Sequence, residues 1–272
     1  MAAKRMDLNV PTFLVLSGCS NPLGQTLAQE LCGRLAAGSV ALLLDESPER
    51  LQTLAQLLSE QQQVQPDAVQ IFTGQRLMDA EQLMEQILQK NDSKGCFQRS
   101  IIVHNEGDAA THVLIEPQSP KEWNAYVERQ LMAPVALNQR WLRAKQLAGI
   151  EKLVINVTSS LQVRPLIFNT LLCSCKRARD MYFRAMAAEE QRSNVHVLSY
   201  AAGLFKTHDT QLDINGNIVD PEQLLGGMDH QKEQKALPRV QPLQSTLKLI
   251  NILEQKAFVS GHDVDYYDTF VL

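Results

Sequence analysis

Short apolar runs alternate along this chain with longer segments of helical periodicity, and this alternation constrains the fold more than any other feature. The runs are rich in Val, Ile and Leu, as expected for strands buried on both faces. They lie at Thr12–Leu16, Val40–Leu44, Ala68–Phe72, Ser100–Val103, Leu153–Val157 and Val195–Ser199. The helical segments lie at Leu23–Ala37, Glu49–Gln62, Asp79–Lys90, Lys121–Ala148 and Asn169–Gln191. The pattern predicts right-handed β-α-β units and one parallel sheet between two helical layers.

The chain contains no repeat, Ser/Gly linker or low-complexity tract that would divide it into two domains. Its 272 residues, 44% of them hydrophobic, suffice for one large core without disulfide or metal cross-links. We therefore expect a single α/β domain over residues 10–272, a doubly wound parallel sheet of the Rossmann type in three layers. A flexible tail is expected over residues 1–9. The polar segment 206–238 is expected to form a lid-like insertion over the carboxyl ends of the strands.

Charge and cysteine content narrow the classes of function. A net charge of −4 and a pI of about 5.9, without a long basic run, give no support for nucleic-acid binding. The five cysteines form no CxxC pair and no metal-ligand spacing with histidine, which favours reduced thiols and predicts no metal site. No stretch reaches about 18–20 uninterrupted apolar residues, and the first residues lack the apolar core of a secretory signal. We therefore expect a cytoplasmic protein without membrane contact.

The first predicted strand leads into a glycine-containing turn and then into an amphipathic helix. Gly18 and Gly24 flank this turn, where a dinucleotide-binding fold brings backbone amides to a phosphate. Pro22 suits the first helical position and Asn21 can cap the helix. Pro22 nevertheless removes an N–H and adds bulk where a nucleotide would approach. On these residues alone, a nucleotide site and a tight turn without a ligand are equally supported.

The acidic pair Asp45–Glu46 ends the second predicted strand. A carboxylate there would accept hydrogen bonds from the ribose hydroxyls of an adenosine and would repel a 2′-phosphate. If a nicotinamide cofactor binds, Asp45 therefore favours NAD over NADP. A solvated acidic loop is the alternative, and it is the better explanation of Glu46.

Motifs further along the chain carry a resemblance to a known family. Asn105-Glu106-Gly107 follows the fourth predicted strand, and Val157-Thr158-Ser159 precedes Lys176. With these motifs the chain resembles the short-chain dehydrogenase/reductase family over nearly its whole length. Within that family it is similar to the sepiapterin reductases, and the segments that carry this likeness are Cys175–Phe183, Val197–Gly203 and Ser260–Asp268.

The resemblance implies reduction of a carbonyl by hydride from NADP or NAD. A tyrosine gives the proton, a serine holds the carbonyl oxygen, and a lysine assists both cofactor and tyrosine. Ser159 and Lys176 match the serine and the lysine, so both are expected to be catalytic, and Ser159 to contact the substrate. The tyrosine position, four residues before Lys176 on the same helix face, holds Leu172, which cannot donate a proton. Because general acid–base catalysis contributes about 10²–10⁴ in rate, residual activity at most is expected.

Two nearby side chains are poor substitutes for the missing phenol. Tyr182 lies six residues beyond Lys176, roughly 240° around the helix axis. Cys173 has a titratable thiol, but it is shorter than a phenol and points about 100° away from Leu172. Neither side chain is expected to donate the proton.

The resemblance also assigns cofactor contacts and reveals further departures. The cofactor-binding positions that it implies are Gly18, Ser20, Gly24, Asp45, Asn105, Lys176, Gly203 and Thr207. The family's Asn-Asn-Ala-Gly turn reads His-Asn-Glu-Gly here, so Glu106 is expected to place a carboxylate near the ribose and phosphates of the cofactor. The asparagine that supports the lysine through water aligns with Gln130. These departures, at both ends of one site, predict a site that is no longer required to turn over.

Asp265 is the most informative residue retained at the substrate end. In the sepiapterin reductases an aspartate at this place accepts hydrogen bonds from a ring N–H and an exocyclic amine of the pterin, and Asp265 matches it. The alternative is that Asp265 is one of several acids in a polar C-terminal strand. The sequence supports the two interpretations about equally.

Three functions remain open. The first is a catalytically impaired relative of sepiapterin reductase, a pseudoenzyme that still binds a nucleotide or a pterin. The second is an active NAD(P)H-dependent sepiapterin or carbonyl reductase of tetrahydrobiopterin synthesis, with a water held by Ser159 and Lys176 as proton donor. The third is a dimerisation partner without a small ligand. A homodimer is expected because Lys121–Ala148 and Asn169–Gln191 match the helices that form a four-helix interface in this family.

Overall fold

A seven-stranded sheet forms the middle layer of the chain. The structure is a computed structural model that describes residues 6–62, 69–75, 80–91, 96–107, 120–159, 170–203, 205, 211–212, 218–219 and 238–268. The strands are β1 (Thr12–Ser17), β2 (Ser39–Asp45), β3 (Val69–Gln75), β4 (Arg99–His104), β5 (Glu151–Thr158), β6 (Val195–Ala201), β7 (Gln211–Leu212), β8 (Ile218–Val219) and β9 (His262–Asp265). The sheet order is β3-β2-β1-β4-β5-β6-β9 with every pairing parallel, and β7 pairs with β8 in an antiparallel two-stranded sheet. The predicted doubly wound parallel sheet is confirmed.

Helices cover both faces of this sheet. They are α1 (Pro22–Cys32), α2 (Pro48–Gln62), α3 (Ala80–Lys90), α4 (Pro120–Val127), α5 (Ala133–Arg143), α6 (Thr170–Glu189) and α7 (Pro242–Gln255). Successive side chains of β1 point to opposite faces. Leu14 and Leu16 belong to the core shared with α1, α2 and α7, whereas Phe13 and Val15 belong to the core shared with α3, α5 and α6. The predicted three-layer, single-domain architecture follows from this two-sided burial.

The predicted helix Lys121–Ala148 is wrong as one uninterrupted element. A π-helical segment, Glu128–Met132, separates α4 from α5, and a short 3₁₀ turn follows α5. Pro134 has no N–H to donate to the carbonyl of Gln130, one turn earlier. The N–H of Ala133 donates to the carbonyl of Glu128, five residues back. The sequence signal for the interruption was therefore the proline, which hydrophobic periodicity alone does not register.

Residues near the N-terminus pack more tightly than predicted. Met6 and Leu8 are buried in the core, and the Met6 N–H donates to the carbonyl of Glu254 at 2.9 Å. The flexible tail predicted over residues 1–9 therefore includes residues that belong to the folded domain, and residues 1–5 lie outside the described part. Most of segment 206–238 also lies outside it. At the two ends of this segment, Phe205 and Val240 form a parallel bridge.

Two absences hold for the described ranges. None of their helices is long and apolar enough to cross a membrane. Within the same ranges, no group of three or more His, Cys, Asp or Glu side chains could hold a metal ion. All five cysteines are described, and none forms a disulfide.

Candidate active site

The residues predicted for the site lie at the carboxyl edge of the parallel sheet. This edge is where open α/β sheets bind their ligands, because the strand order reverses between β1 and β4. The predicted residues at the strand ends are Gly18, Asp45, Asn105, Ser159, Gly203 and Asp265. Lys176 reaches the same edge from α6, and Thr207 lies outside the described residues.

Gly18 and Gly24 are required by the packing of the turn itself. Gly18 has a φ of 70°, and a Cβ there would lie 2.5 Å from the carbonyl oxygen of Asn105. A Cβ on Gly24 would collide with the carbonyl oxygen of Gly18. The Asn21 side chain caps α1 by accepting from the Gly24 N–H at 2.8 Å, and its oxygen also accepts from Asn105 Nδ2 at 3.1 Å. The two glycines are therefore needed whether or not a nucleotide binds.

The hydrogen bonds of the backbone amides in this turn indicate whether a dinucleotide could bind there. The Ser20 N–H donates to Asp45 Oδ2 at 2.9 Å, so the carboxylate stands directly beside the turn, while Glu46 is exposed. Pro22 begins α1 and supplies no N–H. The N–H of Leu23, the next residue, has no acceptor within the helix because it lies in the first turn. The residues of this turn are thus compatible with a dinucleotide, whose phosphates a helix N-terminus such as that of α1 can bind.

Lys176 is buried behind the ends of β4 and β5. Its ammonium donates to the carbonyl oxygens of Glu106 at 2.6 Å and Val157 at 2.8 Å. Burial lowers the pKa of Lys176 well below its ordinary value, the neighbouring Arg179 lowers it further, and Glu106 opposes both effects. Two of the three ammonium hydrogens are thus held by the main chain, which leaves one for a ligand.

Arg179 is the central cation of the site. It lies three residues beyond Lys176 on α6, and its Nη1 donates to Glu106 Oε2 at 2.9 Å in an ion pair whose side chains are almost fully buried. The hydroxyl of Ser17 donates to the other oxygen of Glu106. Arg179 also contacts Asn156 Oδ1, Gln130 O, Val157 O and Glu106 O. One guanidinium therefore connects the segment after β4 with β5, α6 and the π-helical segment.

The structure corrects the prediction that Glu106 faces the ribose and phosphates of a cofactor. The Glu106 carboxylate points into the protein, where Arg179 neutralises it and His104 Nδ1 lies 3.8 Å from its Oε1. A carboxylate buried at this depth needs a counter-charge. Sequence reasoning missed Arg179, although its spacing from Lys176 places both cations on one helix face.

Leu172 lies in an apolar cluster with Tyr126, Leu171 and Cys175, and only 6% of it is exposed. The site therefore has a hydrocarbon side chain where the resemblance places a phenol. Tyr182 packs edge-on against Phe183 at a ring separation of 5.1 Å, on the core side of α6. Tyr182 lies six residues beyond Lys176, about 9 Å along the helix axis, so its hydroxyl cannot take the place of the catalytic tyrosine, which lies before Lys176.

Ser159 and Asp265 stand at the ends of strands that are two positions apart. Thr158, which precedes Ser159, pairs with Ala201 of β6, and Ala201 pairs with Asp265. Neighbouring strands are about 4.8 Å apart, so roughly 10 Å separates the two backbone positions. Asp265 is half-buried, and its Oδ1 accepts from the Tyr267 N–H at 2.9 Å. The spacing suits a ligand about as long as a bicyclic ring with a short side chain.

The Glu106–Arg179 pair generates a prediction about stability. Glu106→Ala leaves the Arg179 guanidinium buried without its counter-charge, so we expect a loss of about 3–5 kcal/mol in the free energy of unfolding. The double variant Glu106→Ala/Arg179→Met should lose less than the sum of the two single variants, which urea unfolding measures. Glu189→Ala, at an exposed position of α6, is the control and should change little. Strictly additive losses would contradict a coupled pair.

Comparison with known proteins agrees with this geometry. The model of the short chain dehydrogenases matches residues 12–215. Sepiapterin reductase of Xenopus laevis is 30% identical over 274 residues, covering 98% of this chain and 100% of that protein. Sepiapterin reductase of Meriones unguiculatus is 34% identical over 261 residues, covering 93% and 95%. The solved structure of L-sorbose reductase from Gluconobacter frateurii, complexed with NADPH and L-sorbose, has a TM-score of 0.69 at 18% identity and covers 96% of this chain and 97% of that chain. This chain therefore belongs to the short-chain dehydrogenase/reductase family and is a homologue of the sepiapterin reductases.

Proposed function

We propose that this protein is a sepiapterin reductase-like pseudoenzyme that binds a nicotinamide dinucleotide or a pterin without efficient turnover. The environment of Leu172 carries the proposal. Leu172 lies one turn before Lys176 on the same face of α6, and it is packed in an apolar cluster. A hydrocarbon at this point cannot protonate an alkoxide formed by carbonyl reduction.

The contacts of Lys176 support the same proposal. Two of its hydrogens are held by the carbonyls of Glu106 and Val157. The ammonium can still attract a ligand, but the residue one turn before it on α6 is Leu172, which has no hydroxyl whose pKa the ammonium could lower. Lys176 therefore retains a binding role in the proposal, whereas the tyrosine position offers it no partner for proton transfer.

An active reductase is the second candidate, and one observation favours it. Tyr126 of α4 is buried in the same cluster as Leu172, so a tyrosine ring from another helix lies beside the position where the family carries its catalytic tyrosine. This candidate includes a role in tetrahydrobiopterin synthesis, with Tyr126 or a water held by Ser159 and Lys176 as donor. The two candidates differ in rate, since an ordinary enzyme turns over at about 10 s⁻¹.

A bound nicotinamide dinucleotide would supply a hydride, and the residues of this chain would orient it. We assign the adenosine ribose to Asp45 and the phosphates to the Leu23 N–H at the start of α1. This choice favours NAD over NADP because Asp45 would repel a 2′-phosphate. Gly203 and Asn105, at the ends of the central strands, are assigned to the cofactor by the family resemblance.

The substrate end is assigned to Ser159 and Asp265. A pterin presents a ring N–H beside an exocyclic amine, and a carboxylate such as Asp265 can accept from both. The roughly 10 Å between the two strand ends lets Ser159 reach a carbonyl on the pterin side chain. The reduced cysteines fit the cytoplasm, where we place this function.

The proposed function generates predictions about activity and cofactor choice, and the first of these concerns the missing phenol. We expect NAD(P)H-dependent reduction of sepiapterin by the natural protein to be absent or very weak. Leu172→Tyr should raise the rate by up to about 10²–10⁴-fold, because it restores a positioned acid beside Lys176. Initial rates measured by the loss of NAD(P)H absorbance test both statements.

Two variants serve as controls for this experiment. Leu172→Phe adds the ring without its hydroxyl and should give no increase in rate. Tyr126→Phe should leave any residual rate unchanged, and a large loss would favour the active reductase instead. Turnover by the natural protein near 10 s⁻¹ would refute the pseudoenzyme proposal.

A second prediction concerns cofactor choice. The natural protein should bind NADH more tightly than NADPH in a fluorescence titration. Asp45→Asn removes a repulsion of about 1–2 kcal/mol and should narrow the ratio of the two dissociation constants roughly tenfold. Glu46→Gln, next to Asp45 but exposed, should leave the ratio unchanged. Tighter binding of NADPH would contradict the role of Asp45, and binding of neither nucleotide nor pterin would favour a ligand-free dimerisation partner.

We also propose a homodimer formed through α4, the π-helical segment and α6. Three large apolar side chains are exposed on these elements, Trp123, Met132 and Met181, with exposed fractions of 37%, 50% and 54%. Sedimentation should show a dimer of the 30.5 kDa chain at micromolar concentration. Met181→Arg should shift it towards monomer, whereas Leu247→Arg, at an exposed position of α7, should not. A natural protein that sediments only as a monomer would refute the interface.

A further inference from the structure

Two basic side chains share one pair of backbone carbonyls at the carboxyl edge of the sheet. Lys176 Nζ donates to the carbonyl oxygens of Glu106 at 2.6 Å and of Val157 at 2.8 Å. Arg179 Nη2 donates to the same two oxygens, at 3.3 Å and 3.0 Å. Both side chains are buried, and only 7% of Lys176 is exposed. The amine of Lys176 is therefore a direct neighbour of a buried guanidinium.

The charges around this pair favour a neutral lysine. The carboxylate of Glu106 forms its ion pair with Arg179. The hydrogen bonds of Lys176 go to carbonyl oxygens, and within the described ranges no carboxylate pairs with it. A buried ammonium without a counter-charge is strongly disfavoured relative to the neutral amine. While no anionic ligand is bound, the site therefore favours the neutral amine of Lys176.

The pKa of Lys176 agrees with this charge balance. Burial lowers the pKa well below the ordinary value of 10.5, Arg179 lowers it further, and Glu106 and Cys175 raise it in part. Of these groups, Arg179 and Cys175 lie on α6, and Glu106 follows β4. From β5, the group in contact with Nζ is the uncharged carbonyl of Val157.

The same hydrogen bonds orient the amine. A neutral amine has two hydrogens and one lone pair, and the carbonyls of Glu106 and Val157 accept both hydrogens. The lone pair then points away from these two oxygens, in the direction that the third hydrogen of an ammonium would take. The exposed Gly107 adjoins the nitrogen, since a Cβ there would lie 3.0 Å from Lys176 Nζ. The nitrogen therefore lies next to a surface residue that has no side chain to cover it.

We propose that Lys176 is a nucleophilic amine that binds small aldehydes covalently, as a reversible imine. The lone pair of Nζ attacks the carbonyl carbon, so that a C–N bond forms and the C=O π bond opens to a carbinolamine. The oxygen then leaves as water with both hydrogens of the amine, and a C=N bond remains. The step needs no oxidant or reductant.

Two features of the site support this chemistry. A lysine that is desolvated beside another cationic group is an arrangement that activates the amine for imine formation. Lys176 and Arg179 have this arrangement because they bind the same two carbonyl oxygens. The proposal goes beyond the proposed function, because imine formation requires neither a dinucleotide nor a pterin.

Reductive alkylation of the natural protein, without nucleotide, tests the proposal. Propanal and sodium cyanoborohydride convert an imine into a stable secondary amine, and peptide mass spectrometry locates the modified lysine. At pH 7, a lysine with the ordinary pKa of about 10.4 is unprotonated in only about one molecule in 2,500. Lys176 should therefore be alkylated at least about tenfold faster than the exposed Lys145, which is the internal reference. Faster alkylation of Lys145 would overturn the proposal.

The pH dependence of alkylation separates an activated amine from one that is merely accessible. Between pH 7 and pH 9, the unprotonated fraction of an ordinary lysine rises about tenfold per pH unit. The unprotonated fraction of Lys176 should rise less, because its pKa is lowered. The ratio of Lys176 to Lys145 alkylation should therefore fall with rising pH, by up to about tenfold per unit. A constant ratio would contradict the proposal.

A pair of glycine variants tests the access to Nζ. Gly107→Ala places a methyl group against Lys176 Nζ and should slow alkylation of Lys176 several-fold. Gly33→Ala is the matched control at the far end of α1, where the φ of −67° suits alanine, and it should behave like the natural protein. Equal alkylation of Lys176 in the two variants would overturn the proposed approach to the amine.

Discussion

The buried ion pair of Glu106 and Arg179 is the interaction on which the site depends. Removing two ions from water costs several kcal/mol for each ion, and only close contact with further hydrogen bonds offsets that cost. Arg179 meets this condition by donating to groups on β5 and the π-helical segment, in addition to Glu106. The carbonyls of Glu106 and Val157 also hold Lys176. The pair therefore fixes the strand ends, the middle of α6 and the lysine in one arrangement.

This arrangement gives Lys176 a structural role in addition to the catalytic role that the sequence suggests. In an isolated sequence, Lys176 suggests that the chemistry of the family persists. In the structure, its ammonium bridges the ends of two strands, so the folded state needs it even if no substrate is reduced. The same reasoning applies to Gly18 and Gly24, whose hydrogen side chains are required by backbone contacts within the turn. Retention of these residues is consistent with catalysis but is fully explained without it.

The sequence predicted the sheet well because buried parallel strands leave a strong local signal, short runs of Val, Ile and Leu between helical segments. It failed where the outcome depends on distant groups. The direction of Glu106 is decided by Arg179, 73 residues later, and by the hydroxyl of Ser17 on another strand. The break in the helix after α4 had a local signal in Pro134, but the carbonyl freed by that proline accepts from Arg179, which no local pattern could indicate. Met6 and Leu8 lie in the segment predicted as a tail, yet both reach the core, and two apolar residues are too few to show a periodicity.

Residues with a structural reason to persist are poor indicators of function, so a ligand is indicated better by residues that the fold itself does not require. Asp45 accepts a hydrogen bond from the Ser20 N–H, and an uncharged acceptor would serve equally well there. The negative charge of Asp45 is therefore not required by the turn, and it would repel the 2′-phosphate of NADP. Leu172, in contrast, contributes to the packing of the fold and offers no polar group to a ligand. Its burial beside Tyr126 and Leu171 stabilises α6 against α4, and a tyrosine there would bring a hydroxyl that needs a polar partner. Under the proposed function, Leu172 therefore increases apolar packing at the start of α6 while supplying no acid, and selection for stability would favour it in a protein that does not need turnover.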